Sequence, residues 1–308
     1  MAYQIRDDCQ RVALYVLVGA DRSLVGMTVH NCRVVSMTFT EFGNIVLRTY
    51  GRDAYLHMLT SITEGKIILD KNDLIVLEIA DFSGEQIGFY DRYLFMLMKL
   101  FKAEDIFPCY SIIYCCQEGN LVNQPFIHKV EYKHAVVPCQ PRYKMNEIEK
   151  IFFPKWLDKY IPALFATGLN AQFENMLHSY DKSYLIGIPE MEYIMLFSIL
   201  EMTFGAGNTE ITYQISRGTA LLLSQNADEM EQLYKRMKKL YNARSKYVHG
   251  GEKVKPENLF ELRDIVRRVL IKLIDLEYHR KEKTFDELRN KILLGGFYSF
   301  AGVTSENA

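Results

Sequence analysis

The chain has 308 residues, with 37 Lys+Arg against 38 Asp+Glu for a formal net charge of −1. Apolar residues make up 49% and charged residues 24%, globular values that exclude a disordered tail or low-complexity chain. A near-zero balance also argues against a surface basic all over, though an average can hide a local patch.

In chain order, short β-type runs come first: Val12–Val18, Arg33–Phe39, Ile45–Tyr50, 66–69 and Leu74–Ile79. Turn residues near Gly19–Asp21, Gly43–Asn44 and 70–73 separate them. Tyr90–Lys102 reads as a helix, apolar at Leu94, Leu97, Met98 and Phe101, and its aromatic residues read as core. Strand-like runs at Cys109–Cys116 and 126–132 complete a mixed domain, and Pro138 and Pro141 mark its end.

From Met145 onward the periodicity is helical. Met145–Tyr160 has Asn146 as its cap and Ile148, Ile151, Phe152 and Leu157 as its apolar positions. Pro189 opens a helix to Phe204, with Met191, Ile194, Met195, Ile199 and Met202 expected inside. Helices over Glu210–Ser224, Asn226–His249, from Pro256, and Phe285–Leu294 follow, joined by short connections that imply antiparallel neighbours. The expected class is α+β: a mixed α/β domain over residues 1–143, then an all-α up-and-down bundle over 144–308.

No apolar run is long enough for a membrane helix, and the first residues lack a basic-then-apolar leader pattern; a cytoplasmic protein without a membrane partner is expected. The cysteines at 9, 32, 109, 115, 116 and 139 show no CxxC spacing, so neither a metal site nor a metal cofactor is expected.

The Asn226–His249 helix carries the chemistry. Met230, Leu233, Tyr234, Met237, Leu240, Tyr241 and Val248 form one apolar stripe, yet Arg244 occupies a position on that line. A guanidinium there needs a partner or an open cleft. His249 ends the helix, and Gly250-Gly251 offers a left-handed cap. Five residues put Arg244 and His249 about 140° apart around the helix, so they meet only if the helix frays or a second chain contributes its pair. The same Arg-x4-His spacing at Arg52–His57 shows that spacing alone means little. Plain structural roles exist for both residues: Arg244 as the ion-pair partner of a carboxylate such as Glu201, and His249 as a cation at the negative end of the helix dipole.

Three segments, Leu200-Glu201-Met-Thr-Phe204, Glu210-Ile-Thr-Tyr-Gln-Ile-Ser-Arg-Gly-Thr-Ala-Leu-Leu-Leu223 and Leu240-Tyr241-Asn-Ala-Arg244-Ser-Lys-Tyr-Val-His249-Gly250-Gly251, resemble the Apea-like branch of the HEPN family. The likeness is strongest over residues 199–251 and includes nothing before residue 140. It implies a helical bundle paired face to face as a homodimer. It further implies metal-independent endoribonuclease activity, in antiviral defence or as a growth-arresting toxin. By position, Arg244 and His249 would be catalytic, with Glu201, Arg217, Ser245 and Tyr241 in support. Members regulated by nucleotidylation carry Tyr two residues after the His, where Gly251 stands here. The residue after the Arg is often Asn, Asp or His, and here it is Ser245, whose hydroxyl can still bond to phosphate.

These residue types suit RNA cleavage. The 2′-OH is the nucleophile, a histidine near neutral pKa moves the proton, and an arginine stabilises charge on the phosphate. One His per chain is thin for acid and base roles together, and a dimer supplies two. Residues 231–255 hold eight basic and two acidic side chains, a net of +6, with Lys238, Lys239, Lys246 and Lys253 as candidate RNA-backbone contacts. The plain alternative for that stretch is a solvated helix face. The expected function is an endoribonuclease whose first domain senses a trigger, binds a regulatory protein partner or holds the nuclease inactive. The rival readings are a non-catalytic sensor of RNA or nucleotide and a purely structural dimerising bundle.

Overall fold

The computed structural model describes residues 3, 11–63, 72–83, 90–117, 120–123, 142–166, 171–205, 210–279 and 285–294. The expected strands at 66–69 and 126–132, with Pro138 and Pro141, lie outside them, as do His128 and His134, which the sequence offers as phosphate contacts or as part of an ordinary exposed strand. The chain is α+β and forms two compact units, residues 1–157 and 158–308.

The first unit is built on a six-stranded sheet in the order β2-β3-β4-β1-β5-β6, antiparallel throughout. Its strands are β1 (Val12–Val18), β2 (Thr28–Val29), β3 (Cys32–Met37), β4 (Leu74–Ala80), β5 (Phe107–Gln117) and β6 (Asn120–Asn123). Every residue of β1 and β4 is buried, because helices cover both faces. Helix α1 (Phe39–Tyr50) sets Phe42 edge-on to Tyr110, the partner of Val16. A π-helical turn (Tyr90–Leu94) and helix α3 (Phe95–Phe101) bring Phe95 against Tyr15, which points to the opposite face. Between α1 and α3 in the chain lies α2 (Arg52–Thr63).

The expected strand at Ile45–Tyr50 is corrected to the second half of α1. Thr38 and Glu41 form a full capping box, and Phe42, Ile45, Val46 and Thr49 are buried at helical spacing. Gly43, expected in a turn, lies inside this helix, where any Cβ would overlap the Tyr55 ring of α2. Glu78 on β4 is wholly buried, and the Arg33 guanidinium donates to both its oxygens across the β3–β4 register. Cys32, Cys109 and Cys115 are buried and not in disulfides, and burial pushes the thiols of Cys32 and Cys109 up to about 12.

Helix α4 (Glu147–Ala166) starts at the expected Asn146, whose side chain accepts from the Glu149 N–H at 2.8 Å. Against the expected boundary at 143, the two units divide inside α4, because Phe153 and Trp156 pack on Phe101. Ile148, Ile151 and Phe152, expected in the core, are 68%, 65% and 59% exposed; Phe153 and Leu157 are the buried residues.

The second unit contains α5 (Ala171–Ser183), α6 (Pro189–Phe204), α7 (Ile211–Leu223), α8 (Ala227–Gly250), α9 (Pro256–His279) and α10 (Phe285–Leu294). Helix α6 is central, touching each of the other five, which explains why it is apolar on every side. Its buried face carries Tyr193, Leu196, Phe197, Leu200 and Phe204; of the expected set, Ile199 is buried and Met191 is exposed. All six expected core positions of α9, from Leu259 to Leu276, are buried.

Gly218 of α7 allows close approach to α6, since an added Cβ would overlap the buried Phe204 ring. Gly218→Ala is expected to cost about 1–3 kcal/mol by forcing that ring aside. Thermal denaturation of the two proteins checks this, and an unchanged midpoint would mean the ring moves freely.

Candidate nucleic-acid interface

Helix α8 begins at the expected Asn226, whose side chain accepts from the Glu229 N–H. It stays helical through Gly250, and Gly251 ends it with φ +69° while donating its N–H to Tyr247. No fraying brings Arg244 toward His249 within one chain.

Met237, Leu240 and Tyr241 of the expected stripe are buried; Val248 is exposed, because α8 outruns the hairpin that covers its earlier turns. Arg244 points inward, and its Nη2 meets Glu201 Oε1 of α6 at 3.1 Å. Its Nη1 donates to the Tyr241 hydroxyl at 3.3 Å, with the guanidinium carbon 5.3 Å from that ring's centroid. The Arg244 Nε is buried with no hydrogen-bond partner among the described residues. The Tyr241 ring packs edge-on to Phe197, which packs on Tyr193, whose hydroxyl donates to the Leu240 carbonyl at 2.8 Å. Burial raises the Tyr241 hydroxyl above its ordinary value; Arg244 opposes that rise and Glu201 adds to it.

The structure therefore joins three of the expected residues, Arg244, Glu201 and Tyr241, and leaves two apart. His249 is exposed, about 140° around α8 from Arg244, and Arg217 is exposed on α7. Neither has a hydrogen-bond or ion-pair partner among the described residues. Ser245 is half-buried.

The basic stretch changes character in three dimensions. Arg236 and Arg244 are spent on Glu261 and Glu201 of neighbouring helices. Lys235 pairs with Glu231, and Lys246 with Glu252 at 3.6 Å. Exposed and without ion-pair partners among the described residues are Lys238, Lys239, Lys253 and Lys255. Helical geometry puts Lys235, Lys238, Lys239, Asn242 and Lys246 on the same outward arc of α8 as His249, opposite Arg244. The Lys238 ammonium stands 5.6 Å from the centroid of Tyr234, and the Tyr234 ring meets Tyr213 of α7 edge-on at 6.3 Å. The stripe pattern assigns Tyr234 to the core, where it is only half-buried, and gives no role to Tyr213, which is exposed. Their signal in the sequence is a cation four residues after each, Tyr213-x3-Arg217 and Tyr234-x3-Lys238.

The second Arg-x4-His copy, Arg52 to His57, also lies on a helix, α2, with both residues exposed. What distinguishes Arg244 is its inward position and carboxylate partner. Among the described residues, no group of three or more His, Cys, Asp or Glu is placed to hold a metal ion, and no helix is long and apolar enough to cross a membrane. No protein-family model matches the chain, and no curated protein or solved structure is significantly similar to it.

Proposed function

We propose that the chain is a metal-independent endoribonuclease with a HEPN-like helical bundle that acts as a homodimer, with antiviral defence or growth arrest as its biological setting. The observation that carries this reading is the placement of His249, exposed at the end of a lysine-lined face of the helix that also carries the inward Arg244. His249 moves the proton of the 2′-OH or of the leaving 5′ oxygen, and the lysines hold the backbone in a salt-dependent way. Arg244 stabilises the phosphate after leaving Glu201 or sharing it, with Tyr241 orienting the guanidinium. In a dimer each cleft receives groups from both chains, which meets the need for an acid and a base.

The test is cleavage of mixed RNA in EDTA by the wild type, Arg244→Ala and His249→Ala. Expected are products ending in 2′,3′-cyclic phosphate from the wild type alone. The Arg244 and Glu201 side chains are 22% and 24% exposed, so Arg244→Ala should cost about 1–3 kcal/mol, and circular dichroism checks that the variant is folded. Lost cleavage in a folded variant then reports on chemistry. Equal cleavage by all three proteins sinks the mechanism.

One observation favours the rival, a sensor that binds RNA or nucleotide without cutting it. Arg244 is already neutralised by Glu201, so an incoming phosphate must compete for it. RNA affinity retained without cleavage, with any activating partner supplied, selects that reading.

A further inference from the structure

The α7–α8 hairpin carries an aromatic pair at its surface, with Tyr213 exposed and Tyr234 half-buried. Tyr213 is 45% exposed. Its contact with Tyr234 is edge-on, 79° between planes, a geometry that leaves ring surface uncovered.

Each tyrosine has a cation four residues on, hence on its own helix face: Arg217 after Tyr213, and Lys238 after Tyr234. Both cations are exposed, and neither has an ion-pair partner among the described residues. Residues 224–226 join α7 to α8 as an antiparallel hairpin, in which Tyr213 near the start of α7 faces Tyr234 in α8. Antiparallel direction puts Arg217 and Lys238 on opposite sides of the tyrosine pair, each about 6 Å along its helix from its own tyrosine. Beyond Lys238 the same edge of α8 continues through Asn242 and Ser245 to His249, at i+4, i+7 and i+11.

We propose that Tyr213 and Tyr234 form a stacking site for unpaired RNA bases, with Arg217 and Lys238 holding the flanking phosphates, on a track that leads to His249. The inference rests on the RNA reading above and names its substrate class, single strands. Every base has a π face, so such a platform is tolerant of sequence, whereas a duplex hides those faces inside its own stack. An acidic side chain could pair with either cation but has no ring to place on the tyrosines.

The test is fluorescence anisotropy in EDTA with 2′-O-methyl oligouridine of about twelve nucleotides, which lacks the nucleophile and stays intact. The comparison probes are a duplex of the same length and a polyglutamate peptide. Expected is single-strand binding at least about tenfold tighter than duplex binding. Tyr213→Ala should weaken it by about 5- to 150-fold, while Tyr213→Phe keeps it. Arg217→Ala and Lys238→Ala should each reduce the slope of log affinity against log salt by about 0.7. Wild-type affinity for the single strand with no loss in Tyr213→Ala overturns the stacking site, as does equal affinity for single strand and duplex. Polyglutamate binding as tight as the single strand, with the same Tyr213 dependence, overturns it in favour of a protein partner. If the wild type binds no RNA at all, the RNA reading falls and this site with it. Tyrosine-dependent single-strand binding without cleavage of ordinary RNA refutes only the nuclease and leaves the site standing.

Discussion

Glu192→Ala is expected to destabilise the unit spanning residues 158–308 by about 3–5 kcal/mol. Glu192 of α6 and Arg263 of α9 are both buried, and the guanidinium donates to both carboxylate oxygens. Around the pair lie apolar and aromatic groups: Tyr184 with its ring centroid 4.5 Å from the guanidinium carbon, and Phe260 at 5.9 Å. Burial holds the Tyr184 hydroxyl well above its ordinary value, so it supplies no charge to replace the carboxylate. Removing Glu192 strands a cation where water cannot reach it, while replacing both partners removes the charge altogether. Glu192→Leu combined with Arg263→Met should therefore recover most of the loss. Urea denaturation followed by far-UV circular dichroism checks this; equal midpoints for Glu192→Ala and the wild type refute it. The pair also matters to the candidate site, because it ties α9 to the helix that carries Glu201.

What could be read from the sequence depended on whether a local signal agreed with the packing. Asn146, Pro189, Asn226, Pro256 and Gly251 act at helix ends through their own backbone or side chain, and each sits where its chemistry predicts. Ile45 and Val46 misled because β-branched residues favour strands in general. The Thr38/Glu41 capping box and the spacing of Phe42, Ile45, Val46 and Thr49 were present in the same residues and outweigh that preference. Helix α5 shows a comparable buried set, Phe173, Met176, Leu177 and Tyr180, and went unassigned although its period is as regular. Ile148, Ile151 and Phe152 have helical spacing but face outward, because periodicity identifies a face and says nothing of what covers it.

The same limit governs the site. The inward position of Arg244 and its partner Glu201 followed from the apolar stripe and the cost of a buried cation. The net +6 of residues 231–255 overstated the free charge, because Glu261 and Glu201 are far from those cations in sequence and adjacent in the fold. The Tyr213–Tyr234 contact joins two helices, so no window on either one displays it.

His249→Ala is expected to lower RNA cleavage by about 10²- to 10⁴-fold, the usual contribution of a positioned proton-transfer group. A single-variant loss does not say whether one chain or two build the cleft, and mixing does. Arg244 and His249 are about 140° apart on a helix that stays intact to Gly250, so one chain does not converge them. If two chains share the cleft and both histidines are needed, as acid and base, a dimer with one wild-type and one His249→Ala chain is inactive. Equal mixing with free subunit exchange then leaves about one quarter of the wild-type activity, the fraction of dimers with two intact chains. If each chain carries its own complete site, the same mixture keeps about one half. Measuring rate against the wild-type fraction at constant total protein separates a quadratic from a linear dependence. A linear result refutes a cleft that needs both histidines. A wild type that stays monomeric at assay concentrations yet cleaves RNA refutes it more directly, because the acid and the base would then have to come from one chain, which has a single histidine at this site.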